Sequence, residues 1–218
     1  LLDFPGKTAC TVFTPGCNFR CPFCHNATLV RGEGESISEE EFFAFLGKRQ
    51  GMLDGVAVTG GEPLMHADIA DFLRRVRQMG FLIKIDTNGS YPDRLKALVA
   101  EGLCDYVAMD IKASPEGYER ATGGAVPMEN IKESVRYLLS GAVDYEFRTT
   151  VAEGAVLPED FEGIGKWICG AKRYFLQGFV DSGDILGENV GAYSVEQMHE
   201  FLETVKQYVP EAQLRGVD

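Results

Sequence analysis

The sequence predicts one α/β domain built on a parallel sheet, and three observations carry that expectation. Short apolar runs rich in β-branched residues alternate, six times over, with stretches whose apolar residues recur at helical spacing. The segments between successive strands are long enough for parallel crossovers. No Pro/Ser linker, low-complexity tract or internal repeat divides the 218 residues, so residues 1–218 are expected to form a single domain. A doubly wound open sheet and a partial (β/α) barrel both satisfy this pattern, whereas six units fall short of the eight of a full barrel.

The elements follow in order. Residues 9–14 read as a first strand that runs into Pro15-Gly16. Ser38 and Glu41 have capping-box spacing ahead of Phe42, Phe45 and Leu46, which marks a helix. Residues 56–59 form a short buried strand stopped by Gly60-Gly61. Ile69, Phe72, Leu73, Val76 and Met79 make one helical stripe, ended by Gly80. A strand over 81–87 closes at Asn88-Gly89, and a helix through Leu95, Leu98 and Val99 ends at Gly102. Residues 105–111 are the fourth strand, followed by a helix through Ile131, Val135, Leu138 and Leu139. Strands over 143–151 and 173–177 flank a helix through Phe161, Ile164 and Ile168. Ser194 and Gln197 form a second capping box before Met198, Phe201, Leu202 and Val205.

Composition narrows the function. With 45% hydrophobic and 25% charged residues the chain is ordinary globular material and not disordered. The net charge of -12, from 21 basic and 33 acidic residues, argues against a nucleic-acid partner, because phosphate binding depends on cations. No apolar run approaches the ~20 residues of a membrane span. Leu1-Leu2-Asp3 lacks the basic start of a signal peptide, which points to the cytoplasm. In that reducing compartment the six cysteines are not a disulfide framework. Cys10, Cys104 and Cys169 lie in apolar surroundings and are expected to be small core residues.

The other three stand in one loop, residues 15–26, as Cys17-x3-Cys21-x2-Cys24. Three thiolates this close can hold three irons of a 4Fe–4S cluster, and the missing fourth would leave one iron open. A zinc site completed by His25 is the alternative, although adjacent Cys24 and His25 would strain to reach one ion. Ligands of parallel α/β folds sit at the carboxyl ends of the strands. Those ends carry Gly60-Gly61-Glu62, Asp86-Thr87-Asn88, Asp110, Lys112, Arg148, Thr150 and Gln177.

The C-x3-C-x-aromatic-C loop after a first strand, with Gly60-Gly61-Glu62-Pro63 after the second, resembles the radical S-adenosylmethionine (SAM) enzymes. The resemblance covers nearly the whole chain and implies a partial (β/α)6 barrel. It also implies that Cys17, Cys21 and Cys24 ligate a 4Fe–4S cluster whose open iron chelates S-adenosylmethionine. Gly60, Gly61 and Glu62 would receive the methionine ammonium, Lys112 its carboxylate, and Phe23 and His25 would flank the adenine. By the same resemblance Asp86 and Asp110 would lie close to the cofactor and, with Thr87, would hold a monovalent cation beside its carboxylate.

Within that family, residues 2–7 (Leu-Asp-Phe-Pro-Gly-Lys), Cys24-His25-Asn26, Asp86-Thr87-Asn88-Gly89, Asp110-Ile111-Lys112, Arg148-Thr149-Thr150 and Leu214-Arg215-Gly216 look like the glycyl-radical enzyme activases. Among these the chain is most similar to the activating proteins of anaerobic ribonucleoside-triphosphate reductase. The pyruvate formate-lyase activases are near relatives, but they carry a His near the end of the sixth strand where this chain has Gln177. The resemblance implies reductive cleavage of S-adenosylmethionine, a glycyl-radical enzyme as protein substrate, and a reduced flavodoxin- or ferredoxin-like electron donor. A radical SAM enzyme acting on a small molecule, as carboxy-deazaguanine synthase does, is the first rival. A non-enzymatic iron–sulfur or zinc module is the second.

Overall fold

The six expected strands pair in one parallel sheet. The computed structural model of the chain describes residues 3–181 and 183–217, so Leu2 of the opening motif lies outside the described residues. The strands are β1 (Ala9–Thr14), β2 (Gly55–Gly60), β3 (Leu82–Thr87), β4 (Tyr106–Asp110), β5 (Asp144–Glu153) and β6 (Tyr174–Gly178). Two short strands were not expected: β7 (Gly191–Ala192) and β8 (Gln213–Arg215). They have two and three residues, too few for an alternation to register in sequence. The sheet order is β1-β2-β3-β4-β5-β6-β8, with β7 antiparallel on β5. The two ends of the sheet do not pair with each other, so the partial barrel stays open between β1 and β8.

Helices cover the outer face: α1 (Ala27–Val30), α2 (Glu39–Gly47), α3 (Ile69–Gln78), α4 (Pro92–Ala100), α5 (Tyr118–Thr122), α6 (Met128–Leu139), α7 (Asp160–Trp167) and α8 (Val195–Lys206). Both capping boxes form, Ser38 with Glu41 and Ser194 with Gln197. The four-residue α1 and five-residue α5 were missed, being too short to show helical periodicity. Strand residues alternate between the two faces. Val56, Val58, Ile83, Ile85, Val107, Met109, Phe147 and Leu176 point outward into the helix layer and are buried. Cys104 joins this core, with its thiol donating to the Tyr106 carbonyl at 3.3 Å. Cys10 is half-buried, and Cys169, expected in the core, is exposed. It follows Ile168, which takes the inward position where α7 ends and leaves the next residue facing solvent.

Parallel register aligns the carboxyl ends: Thr14 lies beside Gly60, Asp110 beside Arg148, Thr150 beside Gln177, and Gln177 beside Arg215. At the β1–β2 end the chain crosses itself closely. The Gly61 N–H donates to the Thr14 carbonyl at 2.9 Å, and the Glu62 N–H to the Gly16 carbonyl at 3.0 Å. Gly60 has φ +124°, and a Cβ at Gly61 would overlap the Gly16 carbonyl oxygen. Glycine is thus required at both positions to dock the cysteine loop on β2.

This crossing predicts that Gly61→Ala lowers the melting temperature by several degrees, because only backbone can yield at the overlap. Gly47→Ala is the control: its added Cβ meets only Met79 Cε at an ordinary 3.8 Å. Placed in α2, it should leave stability unchanged or raise it by up to about 1 kcal/mol. Thermal denaturation of both variants by circular dichroism checks the pair.

Candidate active site

A cavity of about 410 Å³ occupies the carboxyl end of the barrel. All three cysteines of the loop line it, with Phe23 and His25 from the same loop and Gly60 and Gly61 from the end of β2. Asp86, Asp110, Lys112, Arg148, Thr150 and Gln177 complete its wall from four further strand ends. Register therefore brings together every site residue expected from sequence except the side chain of Glu62.

Folding of the loop is held from three sides. Gly16 donates to the Leu29 carbonyl at 2.9 Å, and Arg20 N–H to the Thr122 carbonyl at 3.0 Å. Asn88 Nδ2 reaches Asn18 Oδ1 at 2.8 Å and Cys17 Sγ at 3.9 Å, while Asn18 Nδ2 donates to Ser90 Oγ at 2.9 Å. The segment after β6 folds back over the loop. Asp184 accepts from the Ala27 N–H through its carbonyl at 3.3 Å and from the Thr28 N–H through its carboxylate at 3.1 Å. Gly187 donates to the Pro22 carbonyl at 2.9 Å, and the Phe179 ring stacks on His25 at 6.0 Å.

The donor set suits a cluster better than a single ion. Burial pushes the Cys21 thiol up to about 12 and raises Cys17 as well, so both sulfurs are protonated until metal displaces the proton. Among the described residues no three His, Cys, Asp or Glu side chains are grouped so as to hold a metal ion. His25 stacks on Phe179 at the cavity mouth. Three sulfurs around a shared space, with Cys10, Cys104 and Cys169 elsewhere, fit an iron–sulfur cluster with three protein ligands.

Glu62 requires a correction. Its side chain is fully buried and turned into the wall, not toward the cavity. Oε1 accepts from the Leu64 N–H at 3.0 Å and the Thr87 hydroxyl at 2.9 Å, and Oε2 from the Asn88 N–H at 2.6 Å. Burial pushes its carboxyl up to about 7 against the bonds from Asn88, Leu64 and Thr87. The carboxylate thereby ties the end of β2 to the end of β3.

A chain of alternating charges crosses the inner face. Lys84 pairs with Asp86, Asp86 with Arg148 at 3.1 Å, Arg148 with Asp110 at 2.9 Å, and Asp110 with Lys112 at 2.9 Å. Burial opposes the Asp110 charge, but Arg148 and Lys112 outweigh it and hold the carboxyl at about 2. Asp110 raises Lys112 against its own burial. Lys112 Nζ also lies 5.9 Å from the centre of the Phe23 ring. Arg148 pairs with both aspartates, and the Thr87 hydroxyl donates to Glu62.

Sequence reasoning missed Lys84 and Glu146, both almost wholly buried on the inner face. Glu146 accepts from the Tyr106 hydroxyl at 3.1 Å and pairs with Arg215 at 3.1 Å, below Arg148 in the barrel. The signal was available: counting back two residues from Asp86 and Arg148 reaches the same face of the strand, at Lys84 and Glu146.

Two outcomes test this wall. In Glu62→Gln the amide must turn its NH2 toward either the Leu64 or the Asn88 N–H, so the variant should lose about 1–3 kcal/mol near pH 8 in urea denaturation. Asp110 has a folded pKa below its ordinary 3.8, so its contribution is present above about pH 4 and lost as pH falls toward 2. The stability gap between the native chain and Asp110→Asn should accordingly narrow by up to about 2 kcal/mol between about pH 6 and pH 2.

The comparisons with known proteins address the same residues. A Methanocaldococcus jannaschii protein, provisionally named a glycyl-radical enzyme activating enzyme, is 28% identical over 227 residues, covering 100% of this chain and 92% of its own. A 7-carboxy-7-deazaguanine synthase from Koribacter versatilis is 32% identical over 152 residues, covering 66% of this chain and 62% of its own. The crystal structure of Streptococcus suis SuiB bound to precursor peptide SuiA shares the fold, with a TM-score of 0.72 and 12% identity, over 96% of this chain and 48% of that one. The Radical SAM superfamily model matches residues 11–165, a span that holds the cysteine loop, both glycines, the two aspartates, Lys112 and Arg148. With the cavity built from those residues and the model covering most of the sequence, the chain belongs to the radical SAM superfamily.

Proposed function

We propose that this radical SAM enzyme is an activase that generates a glycyl radical on a partner enzyme, with anaerobic ribonucleoside-triphosphate reductase as the partner. The observation that carries this reading is the alignment along the whole chain with the M. jannaschii protein, set against partial coverage of the deazaguanine synthase. An unpaired side of the barrel, between β1 and β8, agrees with it. A backbone glycine on another protein needs lateral access, and glycine lets two backbones approach closely. Phe13 on β1 lines the cavity yet remains 55% exposed at that side.

In this proposal Cys17, Cys21 and Cys24 hold the 4Fe–4S cluster, and S-adenosylmethionine binds beside it. Together, when bound, these two groups supply the radical chemistry of the family. The chain's own residues position and shield. Backbone carbonyls of Gly60 and Gly61 accept the methionine ammonium, and Lys112 and Arg148 face its carboxylate. Phe23 and His25 flank the adenine, and Gln177 offers a neutral hydrogen bond where a His stands in the formate-lyase activases. Asp86 and Asp110 act through Arg148 and Lys112, which they orient. A reduced flavodoxin- or ferredoxin-like protein donates the electron, in the cytoplasm, and the whole site lies in one domain spanning residues 1–218.

Anaerobic reconstitution tests the proposal. The chain should take up about four iron and four sulfide, and Cys17→Ala, Cys21→Ala or Cys24→Ala should abolish S-adenosylmethionine cleavage. Cys169→Ala, at an exposed position, should leave it intact. With reductase deuterated at glycine α-carbons, deuterium should appear in 5′-deoxyadenosine and a glycyl radical in the paramagnetic resonance spectrum. Transfer of deuterium from a labelled pterin-like small molecule instead, with none from any labelled glycyl-radical enzyme, rejects the activase reading in favour of its small-molecule rival.

A further inference from the structure

A second, smaller cavity of about 150 Å³ lies at the carboxyl ends of β6 and β8, under the start of α8. It is lined by Phe179, Ala192, Tyr193, Val195, Met198 and Val217, together with Gly178 and Gly216. The only side-chain hydroxyl among them, on Tyr193, is spent on the Val156 carbonyl at 2.9 Å. The space is far below the ~300 Å³ at which small-molecule sites begin, and of a size to take one side chain. Its lining selects an apolar one.

Three features tie it to the active site. Gln177, which lines the large cavity, precedes Gly178 and Phe179, which line the small one. At about 3.3 Å per strand residue the two walls are under ~7 Å apart along β6. Phe179, which lines the small cavity, also stacks on His25, which lines the large one. Second, β8 pairs only with β6 among the described strands, so its outer edge stands free where the barrel is open. An extended segment can pair with such an edge and present alternate side chains to it. Third, Val180 and Val195 at this corner are 67% and 40% exposed, an apolar surface left uncovered.

We propose that the small cavity is a specificity subsite for the protein substrate: an extended segment of the partner runs along β8, its glycine reaches the large cavity, and an apolar side chain a few residues away fills the small one. This inference rests on the activase reading above and adds the chemistry by which the substrate is chosen. At the lining residue Gly178 a Cβ would come within 2.5 Å of the Gly216 carbonyl oxygen, so glycine is required there.

The test uses nonapeptides of Ala and Ser with a central α-deuterated glycine, in which one Leu is walked through the four positions on each side. Binding is read first, in the full cluster-free chain, from the 13C-labelled Met198 methyl, assigned with Met198→Leu. One Leu position should shift this signal, and in the reconstituted enzyme the same peptide should have a KM for deuterium transfer roughly 10–100-fold below that of the Leu-free peptide. Ala192→Trp, or Val195→Trp if the first fails to fold, fills the cavity and should reduce both effects to those of the Leu-free peptide. A Met198 signal that no Leu position moves, a Leu advantage that survives the filled cavity, or a shift that depends on protein concentration alone, as self-association would give, each overturns the subsite. A Met198 shift without deuterium in 5′-deoxyadenosine keeps the subsite and rejects the activase reading instead.

Discussion

The site depends on one backbone crossing. Where β1 hands over to the cysteine loop, the Gly16 carbonyl meets the N–H of Glu62, and Gly61 lies so close that no side chain fits there. The crossing places the loop that carries the three thiols against the end of β2. Glu62 then extends the tie to β3 by accepting from Asn88 and Thr87, and Asn88 returns to the loop through Asn18 and the Cys17 sulfur. Loop, β2 and β3 are thus joined by hydrogen bonds whose groups are largely withdrawn from water, where an unmet partner is costly.

The inner face of the sheet is built on a second constraint. A barrel lined by Lys84, Asp86, Asp110, Lys112, Glu146 and Arg148 can bury these charges only as pairs. The alternation of sign along the chain from Lys84 to Lys112 achieves this, and it leaves Lys112 and Arg148 at the cavity wall with donors to spare. Arg148 pairs with both aspartates.

Incomplete closure follows from strand number and from the short β8. The sheet stops before its ends can pair, so one side of the cavity remains accessible between β1 and β8. The fold thereby combines a floor of paired charges, a wall of cysteines on a tied loop, and a side entrance. No helix among the described residues is long and apolar enough to cross a membrane.

What the sequence by itself determined was local. Periodicity and caps placed the six main strands and their six principal helices, because burial on one face imposes the same repeat at every turn or pleat. The cysteine spacing and the polar strand ends announced the site, since parallel strands deliver their carboxyl ends to one rim. Tertiary structure decided where side chains of mixed character turn. Glu62 went into the wall because Thr87 and Asn88 at the end of β3 and Leu64 of its own turn donate to it, and of these only Leu64 is near in sequence. Arg148 went between two aspartates that lie 62 and 38 residues away in sequence. Cys169 went to solvent because a helix ended two residues before it, and β8 became a strand only because β6 was there to pair with it. Each of these depends on a partner that chain order does not put nearby, which is why only the assembled sheet could settle it.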